Sequence, residues 1–200
     1  MGKKRGMNMA KQLTKEKLLK AAWVLFSKNG YEQTTLTDII KEADSSRGAF
    51  YHHFRSKEDL LFNLVYFFDK NYDEWMDQID PDMNALDKLY LFDKFILENL
   101  ENSPYRSLLP ELYGYQVMTS GTKYVLNPDR SYYTILNQIV REGIRKNEIL
   151  SDFSCSDIVH TFANLQHSYT YNWCLEKFHY SLYDFAHPMM KLFLDSIRPS

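Results

Sequence analysis

At three of the helix starts read from this chain a Ser or Thr is followed three residues later by Asp and then by an apolar stripe: Thr35 and Asp38, Ser56 and Asp59, Ser154 and Asp157. At that spacing the hydroxyl can accept an N–H of a helix's first turn while the carboxylate reaches back to the capping residue. Helix starts are therefore written locally. The stripes behind them recur at three and four residues, as in Leu36, Ile39, Ile40 and Ala43, and no segment keeps the two-residue alternation of a half-buried strand. The expected fold class is all-α.

The spacing predicts a first helix over 14–28, capped by Thr14, with Leu18, Ala22 and Leu25 on one face and Gly30 closing its end. A second short helix starts at Thr35 and ends by Ala43. Asp44-Ser45 is a turn, and Ser46 caps a third helix that runs to about His53. A fourth, capped by Ser56, carries Leu61, Leu64, Val65, Phe68, Tyr72, Trp75, Met76 and Ile79 on one buried stripe, which predicts a single long rod. A fifth helix reaches Asn102. Residues 105–127, broken by Pro110, Gly114 and Gly121, read as a short helix plus loop. Helices over about 129–146, 155–177 and 185–197 complete the chain, with Pro188 expected in a first turn, where its missing N–H does no harm.

Two hundred residues that are 44% hydrophobic and 16% aromatic can bury a substantial core, which excludes a disordered chain. No apolar run reaches eighteen residues, so no membrane-spanning helix is expected. The opening MGKKRGMNMAKQ is basic but lacks the apolar core of a secretory signal. With only Cys155 and Cys174 the thiols are expected to be reduced and the protein cytoplasmic. Charge is divided unevenly: residues 1–60 carry +5 and the remaining 140 carry −7. A basic front on an acidic body points the front toward a polyanion.

Two short helices across a tight turn, the second capped by Ser46, make a helix-turn-helix, whose second helix enters a DNA major groove. Arg47 can address guanine with two donors, Gly48 permits close approach, and the Ala49 methyl can meet a thymine methyl. Tyr51 and His52 offer donors to phosphates. Lys57, beside the N–H groups of a helix start, suits another phosphate, while Phe50, His53 and Phe54 are expected to pack inward. Lys3, Lys4 and Arg5 suit either a minor-groove arm or, more simply, a disordered tail.

The stretch TTLTDIIKEADSSRGAFYHHFRSKEDLL, residues 34–61, resembles the DNA-binding segment of the TetR family of bacterial transcriptional regulators, T-x-x-x-I-A-x-x-A-G-V-S-x-G-x-F-Y-x-H-F-x-S-K-E-x-L. The likeness extends back through Leu18–Gly30. It departs from the pattern at the turn, where Asp44-Ser45 replaces Gly-Val. The resemblance implies that Arg47, Gly48 and Ala49 face bases and that Thr35, Ser46, Tyr51, His52 and Lys57 hold the DNA backbone. It implies a homodimer on a palindromic site of double-stranded DNA, paired through the last two long helices, and a small-molecule effector in the acidic body. The expected division is a DNA-binding domain at 10–56 and a ligand-sensing and dimerisation domain at 57–200.

The body is dense in Tyr and Phe, 15 and 13 in the whole chain. A plain core favours Leu, Ile and Val, because a buried Tyr must satisfy its hydroxyl. Tyr72, Trp75, Phe95, Tyr113 and Tyr133 are the candidate ligand-binding residues from this set, joined by Asn164, His167 and Tyr171 on the helix near 155–177. His160, His167 and Cys174 recur every seven residues, about 10 Å apart along a helix, too far to share a metal ion. No metal, cofactor or catalytic residue is expected: there is no phosphate-binding loop, HExxH or nucleophile elbow. The combined reading is a ligand-responsive, homodimeric repressor. The alternative is a regulator or activator controlled by a partner protein.

Overall fold

The computed structural model describes the backbone of residues 2–150 and 152–199, with the side chains of Met9 and of residues from Lys11 onward. In chain order the helices are α1 (Gly2–Asn29), α2 (Leu36–Glu42), α3 (Arg47–His53), α4 (Lys57–Phe62), α5 (Leu64–Asp69) and α6 (Tyr72–Gln78). They continue as α7 (Ala85–Glu101), α8 (Leu109–Met118), α9 (Ser131–Arg145), α10 (Cys155–Leu175) and α11 (Leu182–Ser196). Among the described residues there is no strand, and the all-α expectation holds. The chain forms two compact units: residues up to Val65 with Ser107–Tyr124, and Tyr66–Arg106 with Val125–Ser200. This differs from a division at 56/57. The boundary falls inside α5, and α8, from the middle of the sequence, packs on α4 in the first unit.

In the first unit α1 buries Leu18, Ala22, Trp23 and Phe26. The Trp23 indole N–H, which needs an acceptor once buried, donates to the Leu60 carbonyl of α4 at 2.8 Å. Helix α1 starts well before residue 14, so Thr14 lies inside it rather than at its cap. The side chains of Lys3, Lys4 and Arg5 lie outside the described residues. Gly30 ends α1 at φ +88°, a conformation that costs glycine little. The capping box at Thr35 and Asp38 forms as expected. At the end of α2 the Ser45 N–H donates to Ile40 at 3.0 Å and the Asp44 N–H to Lys41 at 3.2 Å. That paired closure requires a left-handed residue, and Asp44 supplies it at φ +46°.

Two local expectations at α4 fail. Ser56 makes no capping hydrogen bond, and the Asp59 carboxylate accepts the Arg55 N–H at 2.7 Å. The rod expected over 56–79 is three helices. Asn63 turns its side-chain amide back on the Asp59 carbonyl at 2.7 Å, the local competition with backbone bonding that makes Asn a poor interior residue. A second break falls at Lys70 and Asn71, where Asn71 begins α6. The stripe survives the breaks: Leu61, Leu64, Val65, Phe68 and Tyr72 are buried.

The second unit is built around α7, whose buried face carries Leu86, Leu89, Phe92, Asp93, Ile96, Leu97 and Leu100. Helices α9 and α11 pack against it, and α10 packs on both of them. Gly143 of α9 allows the closest approach: a Cβ there would stand 2.6 Å from the Ala85 Cβ and from the Ile149 Cδ1. The Ser154 and Asp157 box opens α10 as expected. Helix α11 begins at Leu182 behind a Ser181 cap, earlier than residue 185, so Pro188 stands inside the helix rather than in its first turn. The bond that residue 188 would donate to Asp184 is absent there, and packing of Leu182, Ala186, Met190 and Leu194 holds the helix instead.

Candidate nucleic-acid interface and interior polar site

Helix α3 is short, and its two faces have opposite chemistry. Phe50 and Phe54 are buried behind it, packed on each other at 5.6 Å. The Ser46 hydroxyl accepts the Ala49 N–H at 3.1 Å and fixes the first turn. On the outer side Ser46, Arg47 and Gly48 are exposed, Ala49 is partly so, and Tyr51 is 59% exposed against the edge of Phe50. Arg47 donates to the Thr37 hydroxyl of α2 at 3.3 Å, which aims its guanidinium along the same face. A Cβ on Gly48 would meet only the Ser46 hydroxyl, at 3.9 Å. Nothing inside the chain requires glycine there. Thr35 and His52 are exposed nearby, and His53 is half-buried with its pKa lowered by burial and then by His52, Lys15 and Lys11.

Lys57, expected at a phosphate, is half-buried and engaged within the first unit. Its ammonium donates to the carbonyls of Tyr31 at 2.9 Å and Thr34 at 3.1 Å, and lies 4.1 Å from the centre of the Tyr31 ring. Two of its three donors are used within the unit. On the same side the Tyr115 hydroxyl of α8 donates to Glu32, and the Tyr31 and Tyr115 rings meet edge to face at 4.8 Å.

In the second unit the aromatic candidates converge. Tyr72 and Trp75 each pack on Phe92 and Phe95, with centroids 4.9–6.1 Å apart. Phe92 reaches Tyr132, which meets Tyr133 at 4.8 Å and stacks on His167 at 6.5 Å. Tyr72, Trp75, Phe95, Tyr133 and His167 thus belong to one cluster, joined by Phe92 and Tyr132 of the same aromatic-rich stretch. Asn164 and Tyr171 are exposed on α10 and lie off it. The buried stripe of that helix runs through Phe162, Gln166, Tyr169 and Trp173, and only its edge takes in His167. Tyr113 belongs to the first unit, half-buried on α8. His160 is exposed and Cys174 half-buried.

Polar groups thread this cluster. Arg130 donates to both oxygens of Asp69 at 2.7 Å and to the Val125 carbonyl at 2.8 Å. Burial opposes its charge, but the hydrogen bonds and charge of Asp69 outweigh burial and hold it firmly protonated. The Tyr132 hydroxyl donates to Gln166 at 2.8 Å, and the Gln166 amide donates to Asp93 at 2.7 Å. Burial, then the nearby Arg130, pushes the His167 pKa down to about 4, so this imidazole is neutral at pH 7. Sequence reasoning missed Asp69, Asp93, Arg130 and Gln166. Asp93 had a readable signal, a lone acid on the apolar face of α7. Two surface clefts open elsewhere in this unit, of about 240 Å³ beside Tyr90 and His187 and about 380 Å³ beside Lys88 and Glu142.

Residues 18–64 match the family model described as bacterial regulatory proteins, tetR family. The HTH-type transcriptional regulator QacR of Staphylococcus aureus is 31% identical over 132 residues, an alignment covering 64% of this chain and 70% of that relative. The chain belongs to the TetR family. It is a DNA-binding transcriptional regulator, and α2 and α3 are its helix-turn-helix. Another relative, the fatty acid metabolism regulator protein of Bacillus subtilis, is 26% identical over 136 residues, covering 66% of this chain and 69% of its own length. The crystal structure of the transcriptional regulator FadR from Bacillus subtilis in complex with stearoyl-CoA matches with a TM-score of 0.70 at 21% identity, over 92% of this chain and 99% of that one. The TetR fold therefore extends over both units. Among the described residues no helix is long and apolar enough to cross a membrane.

Proposed function

We propose that this TetR-family regulator is a cytoplasmic, homodimeric repressor that leaves a palindromic operator when a small molecule with apolar and aromatic groups enters its second unit. The observation that carries the DNA-reading part is the outer face of α3. Arg47, Gly48 and Ala49 stand outward, with a capping serine behind them and no internal packing that explains the glycine. In this reading these three residues read bases, while Thr35, Ser46, Tyr51 and His52 hold the backbone. Lys57 acts from behind by fixing the end of α1.

Pairing is supported by apolar side chains that the chain leaves uncovered on its last two helices. Tyr171 and Leu175 on α10, and Phe185 and Leu192 on α11, are exposed, Leu192 at 72%. Ile158, Phe162, Tyr169 and Trp173, by contrast, are spent in the unit's own core. Two-fold pairing places two recognition helices about 34–36 Å apart, one helical turn of DNA. An effector that redirects the broken helical segment 57–79 changes that spacing, and DNA and effector then oppose each other reciprocally. The FadR neighbour's bound stearoyl-CoA supports an effector as the signal.

The test is selection of duplexes bound from a random pool, followed by affinity measurements on the selected site. Arg47→Ala is expected to relax base preference at one position of each half-site and to cost about tenfold or more in affinity. Binding that is indifferent to sequence in the intact protein sinks the reading.

A further inference from the structure

Lysine is seldom buried without a close counter-charge, yet Lys88 of α7 is only 2% exposed. Among the described residues its ammonium makes one hydrogen bond, to the Pro81 carbonyl at 2.7 Å. Its ion-pair partner, Glu142 of α9, stands 3.7 Å away, beyond a hydrogen bond, and gives its other oxygen to Lys146 at 2.6 Å. That hydrogen bond from Lys146 holds the Glu142 carboxyl below the usual carboxylate range, so it stays ionised at pH 7. An ammonium carries three donors, and Lys88 keeps some of them unspent.

These two charges border the surface cleft of about 380 Å³. That volume lies within the range of about 300–1,000 Å³ typical of ligand pockets, at its small end, whereas the cleft beside Tyr90 falls below it. The lining is graded: Lys88 is buried at the base, Glu142 is half-buried, and Asp77 of α6 is exposed at the rim. Met76, Ile79 and Pro81 supply an apolar side, and the Gln138 amide offers a further donor. None of these residues belongs to the aromatic cluster. A simple anion meets Asp77 and Glu142 here, and a simple cation meets Lys88. Only a ligand with both signs answers both. Because the Lys88 ammonium and the Glu142 carboxylate are 3.7 Å apart, the ligand's own charges must be as close. An ammonium and a carboxylate on one carbon meet that requirement.

We propose that this cleft binds a free α-amino acid with an apolar side chain. Its carboxylate takes the spare donors of Lys88 and the Gln138 amide, and its ammonium lies between Glu142 and Asp77. Its side chain rests on Met76, Ile79 and Pro81. The site is a second ligand position, additional to the effector of the proposed repressor and independent of that reading. A bound amino acid ties the end of α6 to α7 and α9, which between them carry Met76, Asp77, Lys88, Gln138 and Glu142.

Equilibrium dialysis of radiolabelled L-norleucine against the full chain at pH 7 tests this. The label is expected to be retained and to be displaced by unlabelled norleucine. N-acetyl-L-norleucine, which keeps only the carboxylate, and L-norleucinamide, which keeps only the ammonium, are each expected to compete about tenfold or more weakly. Asp77→Asn is expected to weaken norleucine about twofold to fivefold and not to weaken N-acetyl-norleucine. Gln138→Glu, which sets an acid against the ligand carboxylate, is expected to abolish retention. Both positions are exposed, so the variants keep the fold, which thermal unfolding checks. No retention by the intact chain, a single-charge analogue that competes equally, an Asp77→Asn variant that binds like the wild type, or retention that survives Gln138→Glu overturns the proposal.

Discussion

The Lys57 ammonium and Tyr31 are joined twice over: Nζ lies 2.9 Å from the Tyr31 carbonyl oxygen and 4.1 Å from the centre of its ring. With the Thr34 carbonyl as a second acceptor, this lysine closes the segment between α1 and α2. Lys57→Met should therefore lower stability by about 1–3 kcal/mol, the range for a lost charged hydrogen bond and its stranded acceptors. Thermal unfolding checks it. The salt dependence of operator binding should keep nearly its original slope. A flattened slope with an unchanged melting temperature would return Lys57 to the phosphate contacts.

At the turn between α2 and α3 the backbone demands a left-handed residue, and Asp44 meets the demand at φ +46°. A residue with a Cβ pays roughly 1–2 kcal/mol for that conformation, less for Asp than for most. Asp44→Gly, which the usual TetR pattern carries, should raise stability by a few tenths to about 1 kcal/mol without altering operator affinity. Denaturant midpoints measured alongside DNA binding decide it.

Gly48 makes the sharpest separation of folding from function. An added methyl finds only the Ser46 hydroxyl at 3.9 Å, and alanine is the better helix former by about 1 kcal/mol. Gly48→Ala should thus melt at the same temperature or higher while binding its operator about tenfold or more weakly, because the methyl occupies space meant for DNA. A variant that is more stable and binds equally well removes Gly48 from the interface.

How much of this was legible in the sequence depends on how local the determining physics is. The caps at Thr35, Ser46 and Ser154, the stop at Gly30 and the turn at Asp44 are decided by residues within five positions, and each is found as read. The rod over 56–79 contains no Gly or Pro to announce a break. Its interruptions come from the amide of Asn63 and from Asn71, residues that helices tolerate in many settings. Pro188 failed in the opposite direction, since tertiary packing carries a helix across it. At the candidate sites, the acceptors of Lys57 lie 23 and 26 residues earlier in the chain, so its place behind α1 was not legible from spacing. The ion pair of Asp69 with Arg130 spans 61 residues, and no spacing rule reaches that far.

Close packing of α9 against α7 gives a stability prediction independent of function. A Cβ at Gly143 would stand 2.6 Å from both the Ala85 Cβ and the Ile149 Cδ1, closer than carbon atoms approach without displacement. Gly143→Ala should cost about 1–3 kcal/mol in spite of alanine's better helix propensity. A stabilised variant would show that the two helices can separate slightly at no cost.

Protonation of His167 sets an acid limit on the second unit. Its folded pKa, pushed down to about 4 by burial and then by Arg130, lies below the ordinary 6.5. The neutral ring is therefore favoured in the folded state, and the unfolded chain binds the extra proton first as pH falls. Stability from this residue is complete above about pH 6.5 and is lost progressively as pH drops toward 4, to a total of roughly 2–3 kcal/mol. His167→Gln removes the titration while keeping a polar side chain of similar reach. Carboxylates also titrate in this range, so the informative quantity is the difference between wild type and variant. That difference should shrink steadily in favour of the variant between pH 6.5 and 4 and stay constant above pH 7. Parallel stability curves across the whole range would mean that His167 gains its proton as readily in the folded protein as in the unfolded chain.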